Sequence, residues 1–102
     1  MQEAILSGAN FNGADLSNVM LTNSTAQGVD FSNVDFFNAE LNGCDLTGSI
    51  FDYVDMVNSN IESSTLNQVS MVGANLSYSN LSYSMFNDVD FSSCDLSNVQ
   101  FY

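Results

Sequence analysis

The sequence predicts a repeat solenoid, a chain that turns a corner once every five residues. Two observations carry this. From Leu6 to Phe101 every fifth residue is large and apolar, with Ala26 the single lapse, and two residues before each sits a small one, from Ala4 to Val99. Twenty such five-residue units follow one another without insertion or deletion, and a fixed period unbroken from end to end marks a repeat architecture. An α-helix, with 3.6 residues per turn, would spread this pattern around its circumference. A flat strand would send successive large residues to opposite faces.

The columns of the repeat justify each part of the unit. Every Leu of the chain is a centre, as the large position is called here, and no Asp or Glu falls in the centre or small column. Those two columns therefore face inward and the other three face solvent. All six Gly lie two places after a centre, where a corner calls for the positive φ that Gly adopts without steric cost. Asn and Ser near the corners tolerate the same turn geometry.

Units such as Ala14-Asp15-Leu16-Ser17-Asn18, Ala9-Asn10-Phe11-Asn12-Gly13, Ala74-Asn75-Leu76-Ser77-Tyr78 and Cys44-Asp45-Leu46-Thr47-Gly48 resemble the pentapeptide-repeat family, whose pattern is A-(D/N)-L-x-x. The resemblance spans the whole chain. It implies an all-β fold, a right-handed quadrilateral parallel β-helix with four units per coil, hence five coils in a single domain over residues 1–102. At ~4.8 Å per coil the prism is about 24 Å long. Grouped by twenties, the centres form four stacks. These are Leu6, Ala26, Leu46, Leu66, Phe86; Phe11, Phe31, Phe51, Met71, Phe91; Leu16, Phe36, Met56, Leu76, Leu96; and Leu21, Leu41, Ile61, Leu81, Phe101. Ala26 is the expected weak point, with a local cavity or a distorted corner beside it.

Composition narrows the function. The 102 residues include 12 acids and no Lys, Arg or His, for a net charge of −12. Without cations the chain cannot neutralise phosphates, which argues against direct nucleic acid binding and against anionic membrane surfaces. No stretch approaches the ~20 apolar residues of a membrane helix. The N-terminus shows neither the basic region nor the apolar run of a signal peptide, so a soluble chain is expected, its compartment unspecified. Asn23, Asn75 and Asn80 begin N-x-S/T triplets, but a chain so rich in Asn and Ser produces these by composition. Cys44 and Cys94 fall on opposite walls two coils apart, about 10 Å along the axis, beyond the ~7 Å limit for a disulfide. Both occupy the small inward column and read as buried, inert thiols. With no His or Lys the usual general bases are missing, neither Cys has a basic partner, and no cofactor is expected, so the chain reads as a non-enzyme.

The surface offers three candidates. On the third wall Asp15, Asp35, Asp55 and Asp95 stack with Asn75. Their expected role is local turn bonding, with weak cation contact or an anionic docking stripe for a basic protein surface as the functional alternatives. The charges are expected to repel, so that salt and mild acid both stabilise. Beside the stripe, Asn18, Asn38, Asn58 and Asn98 suggest a structural ladder. Second, Phe37, Tyr53, Val57, Val72 and Tyr78 are outward and apolar, and are expected to share a patch near one edge. Third, the end coils, with Phe86, Phe91, Leu96 and Phe101 at one end and Leu6, Phe11, Leu16 and Leu21 at the other, are expected to be open and uncapped. Open strand edges are templates for pairing.

The leading function is therefore a non-enzymatic structural or interaction module, a rigid acidic solenoid that self-associates through its ends as dimer or fibre. The alternative rests on the resemblance: some pentapeptide-repeat proteins of quinolone resistance mimic DNA and bind type II topoisomerases. B-DNA carries roughly 14 charges over 24 Å, against 12 acids here. Those relatives are longer and carry a C-terminal dimerising helix that this sequence does not show.

Overall fold

The structure, a computed structural model, describes residues 2–102. The residue before each centre pairs in parallel with its equivalent twenty residues on, and these bridges make four ladders. The first wall is Ile5–Thr25–Asp45–Thr65–Met85, the second Asn10–Asp30–Ile50–Ser70–Asp90, the third Asp15–Asp35–Asp55–Asn75–Asp95 and the fourth Met20–Glu40–Asn60–Asn80–Gln100. The fold is the right-handed quadrilateral β-helix, with principal extents of 30 × 26 × 25 Å.

Each corner has one design. The residue two after the centre takes a positive φ throughout, in Asn, Ser, Gln, Asp, Glu and Tyr as well as Gly. With the turn bond from the next small residue to the centre carbonyl, as in Ala9 N–H to Leu6 O at 3.0 Å, this meets the type II requirement of a positive φ at the third position. Coils are joined by three bonds per unit. The centre N–H donates to the following coil's bridge residue (Leu16 to Asp35 O, 2.8 Å), the corner N–H to the following coil (Asn18 to Phe37 O, 2.8 Å), and the bridge N–H to the preceding coil's small residue (Asp35 to Ala14 O, 3.0 Å). Backbone polarity is thereby satisfied without long strands.

The inward columns form one core. Phe51 is fully buried, with ring centroids 4.9 Å from Phe31 and 5.9 Å from Phe36; Phe11 continues the stack at 5.5 Å from Phe31. Ala26 is buried as well, and the corner beside it is regular: Ala26 N–H meets Asp45 O at 2.8 Å and Gly28 keeps a φ of 63°. The expected distortion is absent because a small centre leaves the backbone bonds untouched. Leu21 is also buried, contrary to its expected place on the open end. The chain just after it is already paired, with Glu3 N–H bonded to Thr22 O at 2.9 Å.

Serines of the small column do more than fill space. Ser49 Oγ accepts from Val29 N–H (3.1 Å) and donates to Ala26 O, so it sits inside the turn of the preceding coil. Ser64 does the same to Cys44 N–H and Leu41 O, and Ser84 to Ser64 N–H and Ile61 O. Both cysteines are free, and their thiols donate to Leu21 O and Met71 O.

Candidate interaction surfaces

The acidic third wall is built from local turns. Asp15 Oδ1 accepts from the Ser17 backbone N–H at 3.0 Å and from its hydroxyl at 2.6 Å. Asp95 is held in the same way by Ser97, and Asn75 by Ser77. Asp35 and Asp55 accept from the N–H of Phe37 (2.9 Å) and Val57 (3.1 Å). This is the side-chain-to-backbone bonding that Asp and Asn supply at turns. Across the corner, Asn38 and Asn58 donate to the Asn one coil earlier at 2.9 and 3.0 Å, which makes the expected ladder over Asn18, Asn38 and Asn58; Tyr78 stands between these and Asn98.

These bonds act against the expected acid response at part of the stripe. The Ser17 hydroxyl, then its N–H, hold Asp15 below the usual carboxylate range, and Ser32, Ser92 and Ser97 do the same to Asp30, Asp90 and Asp95. At Asp45 burial pushes upward, but bonds from Thr47 and Gln27 outweigh it and the net direction is down. Hydrogen bonding to the charged form outweighs desolvation at these positions, so protonation of these five groups is resisted. Among the described residues no three acidic or thiol side chains converge as a metal site requires. Burial raises both thiols, with Asp90 and Asp52 adding to the effect at Cys94, which leaves them poor nucleophiles. No pocket opens among the described residues.

The apolar surface residues are distributed around the third wall rather than along one edge. Phe37 (45% exposed) and Val57 (half-buried) occupy the same column in adjacent coils, immediately after the centres. Tyr53 (63% exposed) stands at the edge with the second wall, its ring laid over Gly73, where an added Cβ would fall 2.6 Å from Cδ1. Half-buried Val72 lies beyond it on the second wall. Tyr78 (63% exposed) stands at the opposite edge, in the corner column of Asn38 and Asn58.

The end coils are less covered than the middle. Leu96 and Phe101 are 38% and 51% exposed, and Phe86 and Phe91 half-buried, with Phe86 5.9 Å from both Phe91 and Phe101. Leu6, Phe11 and Leu16 are half-buried at the other end. Among the described residues, the amides of Phe86, Phe91, Leu96 and Phe101 meet no backbone carbonyl.

Comparison with known proteins follows the same pattern. The family described as Pentapeptide repeat region matches residues 44–102, and Pentapeptide repeats (8 copies) matches residues 1–36. No curated protein matches the sequence. Among solved structures, a pentapeptide repeat protein of the Arabidopsis thaliana thylakoid lumen is similar at 22% identity and a TM-score of 0.91, over 96% of this chain and 67% of its own. Rfr23, from the cyanobacterium Cyanothece 51142, is similar at 25% identity and 0.65, over 100% and 59%. A trypsin-treated R167E form of QnrB1, a plasmid-mediated fluoroquinolone resistance protein, is similar at 19% identity and 0.56, over 96% and 72%. The chain thus spans between about three-fifths and three-quarters of these proteins. At these identities the likeness to the thylakoid protein and to QnrB1 concerns the fold.

Proposed function

The chain belongs to the pentapeptide-repeat family, and we propose that within it this single solenoid is a non-catalytic interaction module that associates with copies of itself through its end coils. One observation carries the reading: the two end coils are complementary. In the interior every centre N–H finds the carbonyl of the next coil's bridge residue. The amides of Phe86, Phe91, Leu96 and Phe101 offer the same donors outward, and the carbonyls of Ile5, Asn10, Asp15 and Met20 are acceptors of the kind they meet. Exposed Leu96, Phe101, Ile5 and Met85 add apolar area at these ends. Head-to-tail contact leaves a further free edge at each step and grows without closing.

Sedimentation velocity across concentration, at low and high salt, tests this. Species that grow with concentration and with screening support it, and Phe101→Asp should abolish them while Asn42→Asp, on the fourth wall, leaves them in place. A chain that stays monomeric at high concentration and high salt sinks the proposal. The charge also permits the topoisomerase-binding alternative, and inhibition of supercoiling by a non-associating chain would put that reading in its place.

A further inference from the structure

Among the bridge aspartates of this solenoid a local rule is broken on one wall. Where Asp occupies the bridge position, the residue two places on is repeatedly Ser or Thr, whose hydroxyl and N–H both bond the carboxylate oxygen; the bridge amides are mixed, with Asn75 followed by Ser77 but Asn10 by Asn12 and Asn60 by Glu62. Asp15–Ser17, Asp30–Ser32, Asp45–Thr47, Asn75–Ser77, Asp90–Ser92 and Asp95–Ser97 all follow it. On the third wall, in the second and third coils, Phe37 and Val57 stand where Ser would. Asp35 and Asp55 are left with a backbone donor alone. Phe37 gives up the hydroxyl bond and remains largely exposed.

The edges of the same wall depart too. Tyr53 and Tyr78 hold φ values of 57° and 60°, in corner columns otherwise filled by Gly, Asn and Ser. A bulky residue at positive φ is strained. Positions that break local rules without a folding gain are where function is expected.

The chemistry of the wall selects its occupant. Aromatic rings and carboxylates lie side by side, and the chain carries no cation of its own. A second copy, with twelve negative charges over its walls and no Lys, Arg or His, would bring acids to this face and nothing to offset them; nucleic acid and anionic lipid are excluded on the same ground. An Arg side chain satisfies both features, since its guanidinium forks onto a carboxylate and lies against an aromatic face.

We propose that the third wall, through Asp35, Asp55, Phe37 and Val57 with Tyr53 and Tyr78 at its edges, docks an extended Arg-bearing segment of a partner protein. The probe is a synthetic nine-residue peptide of alternating Arg and Ser, titrated into the isotope-labelled chain and followed by amide chemical shifts. Shifts are expected to concentrate on Asp35, Phe37, Tyr53, Asp55, Val57 and Tyr78. Phe37→Ser with Val57→Ser restores the rule obeyed elsewhere, so the variant should fold with an unchanged or higher melting temperature while binding weakens about tenfold. Asp90→Asn, which removes one charge from the second wall, should change affinity less than about twofold. Shifts spread evenly over the four walls, or a double-Ser variant that binds as tightly as the parent, overturn the proposal.

Discussion

Truncating Phe51 to Ala tests the core most sharply. Its ring is fully buried in the third coil, stacked 4.9 Å from Phe31 and tilted 5.9 Å from Phe36. Buried Phe→Ala changes cost about 3–5 kcal/mol through lost transfer energy and the cavity left behind, and each aromatic pair adds roughly 0.5–1.5 kcal/mol beyond area burial. Relaxation is restricted here, because the backbone on either side is tied by Phe51 N–H to Ser70 O (2.7 Å) and Phe31 N–H to Ile50 O (2.7 Å). The loss should therefore fall at the upper end, about 4–5 kcal/mol. Against a total of about 5–15 kcal/mol, that is enough to lower the melting temperature by more than 15 °C, at roughly 4–8 °C per kcal/mol for a chain near this size. Urea and thermal denaturation followed by circular dichroism measure it. A loss below about 1 kcal/mol would refute the reasoning, since it would mean the ring stack contributes little to stability.

Two substitutions in one column should have opposite signs. Ser49→Ala orphans Val29 N–H and Ala26 O and should cost about 1–3 kcal/mol. Ser79 is fully buried and its hydroxyl has no partner among the described residues, so Ser79→Ala should stabilise by about 1 kcal/mol in the same urea titration; a loss there would reveal a bonded hydroxyl. Stability should fall on acidification: Asp15, Asp30, Asp45, Asp90 and Asp95 have folded values below their unfolded ones. Their contribution is then present above the ordinary value of about 3.9 and lost as pH drops through the folded values. Melting temperatures measured from pH 7 to 2 should hold to about pH 5 and then decline; a rise through pH 4 would show repulsion to be the stronger effect.

The architecture was legible because each unit repeats one environment. A column of Leu, Phe, Met and Ile has a single physical meaning when acids never enter it, and the structure buries those columns through the middle coils. What the columns concealed was chemistry that runs between coils. A Ser in the small column reads as a small residue. Its insertion into the preceding turn, as at Ser49 and Ser64, depends on a residue twenty or more places away. The sign of the acid response was hidden in a similar way. Composition shows twelve negative charges, but not that Ser17 or Ser97 donates two bonds to the carboxylate beside it. The departure at Phe37 and Val57 was readable in principle as a missing Ser after Asp, a rule the turn geometry makes recognisable.

A surface of one charge sign limits how such a prism can meet its partners. The acids lie outward on all four walls, and turn bonds at Asp15, Asp30, Asp45, Asp90 and Asp95 favour their charged form. Two prisms brought side by side would oppose like charges across flat faces, which is unfavourable and salt-dependent. The proposed end-to-end contact would set coil against coil, with the outward amides of the last coil facing carbonyls and Leu96 and Phe101 leaving water; charge is adverse there too, but hydrogen bonds and apolar burial would oppose it. The walls, unsuited to a copy, suit a cationic partner. Because the inward columns supply the core, outward positions such as Phe37, Tyr53 and Tyr78 can depart from the rule without emptying it. On these proposals one repeat separates two tasks: its inward columns set stability and the geometry of the ends, and its outward columns set which foreign surface a wall would accept.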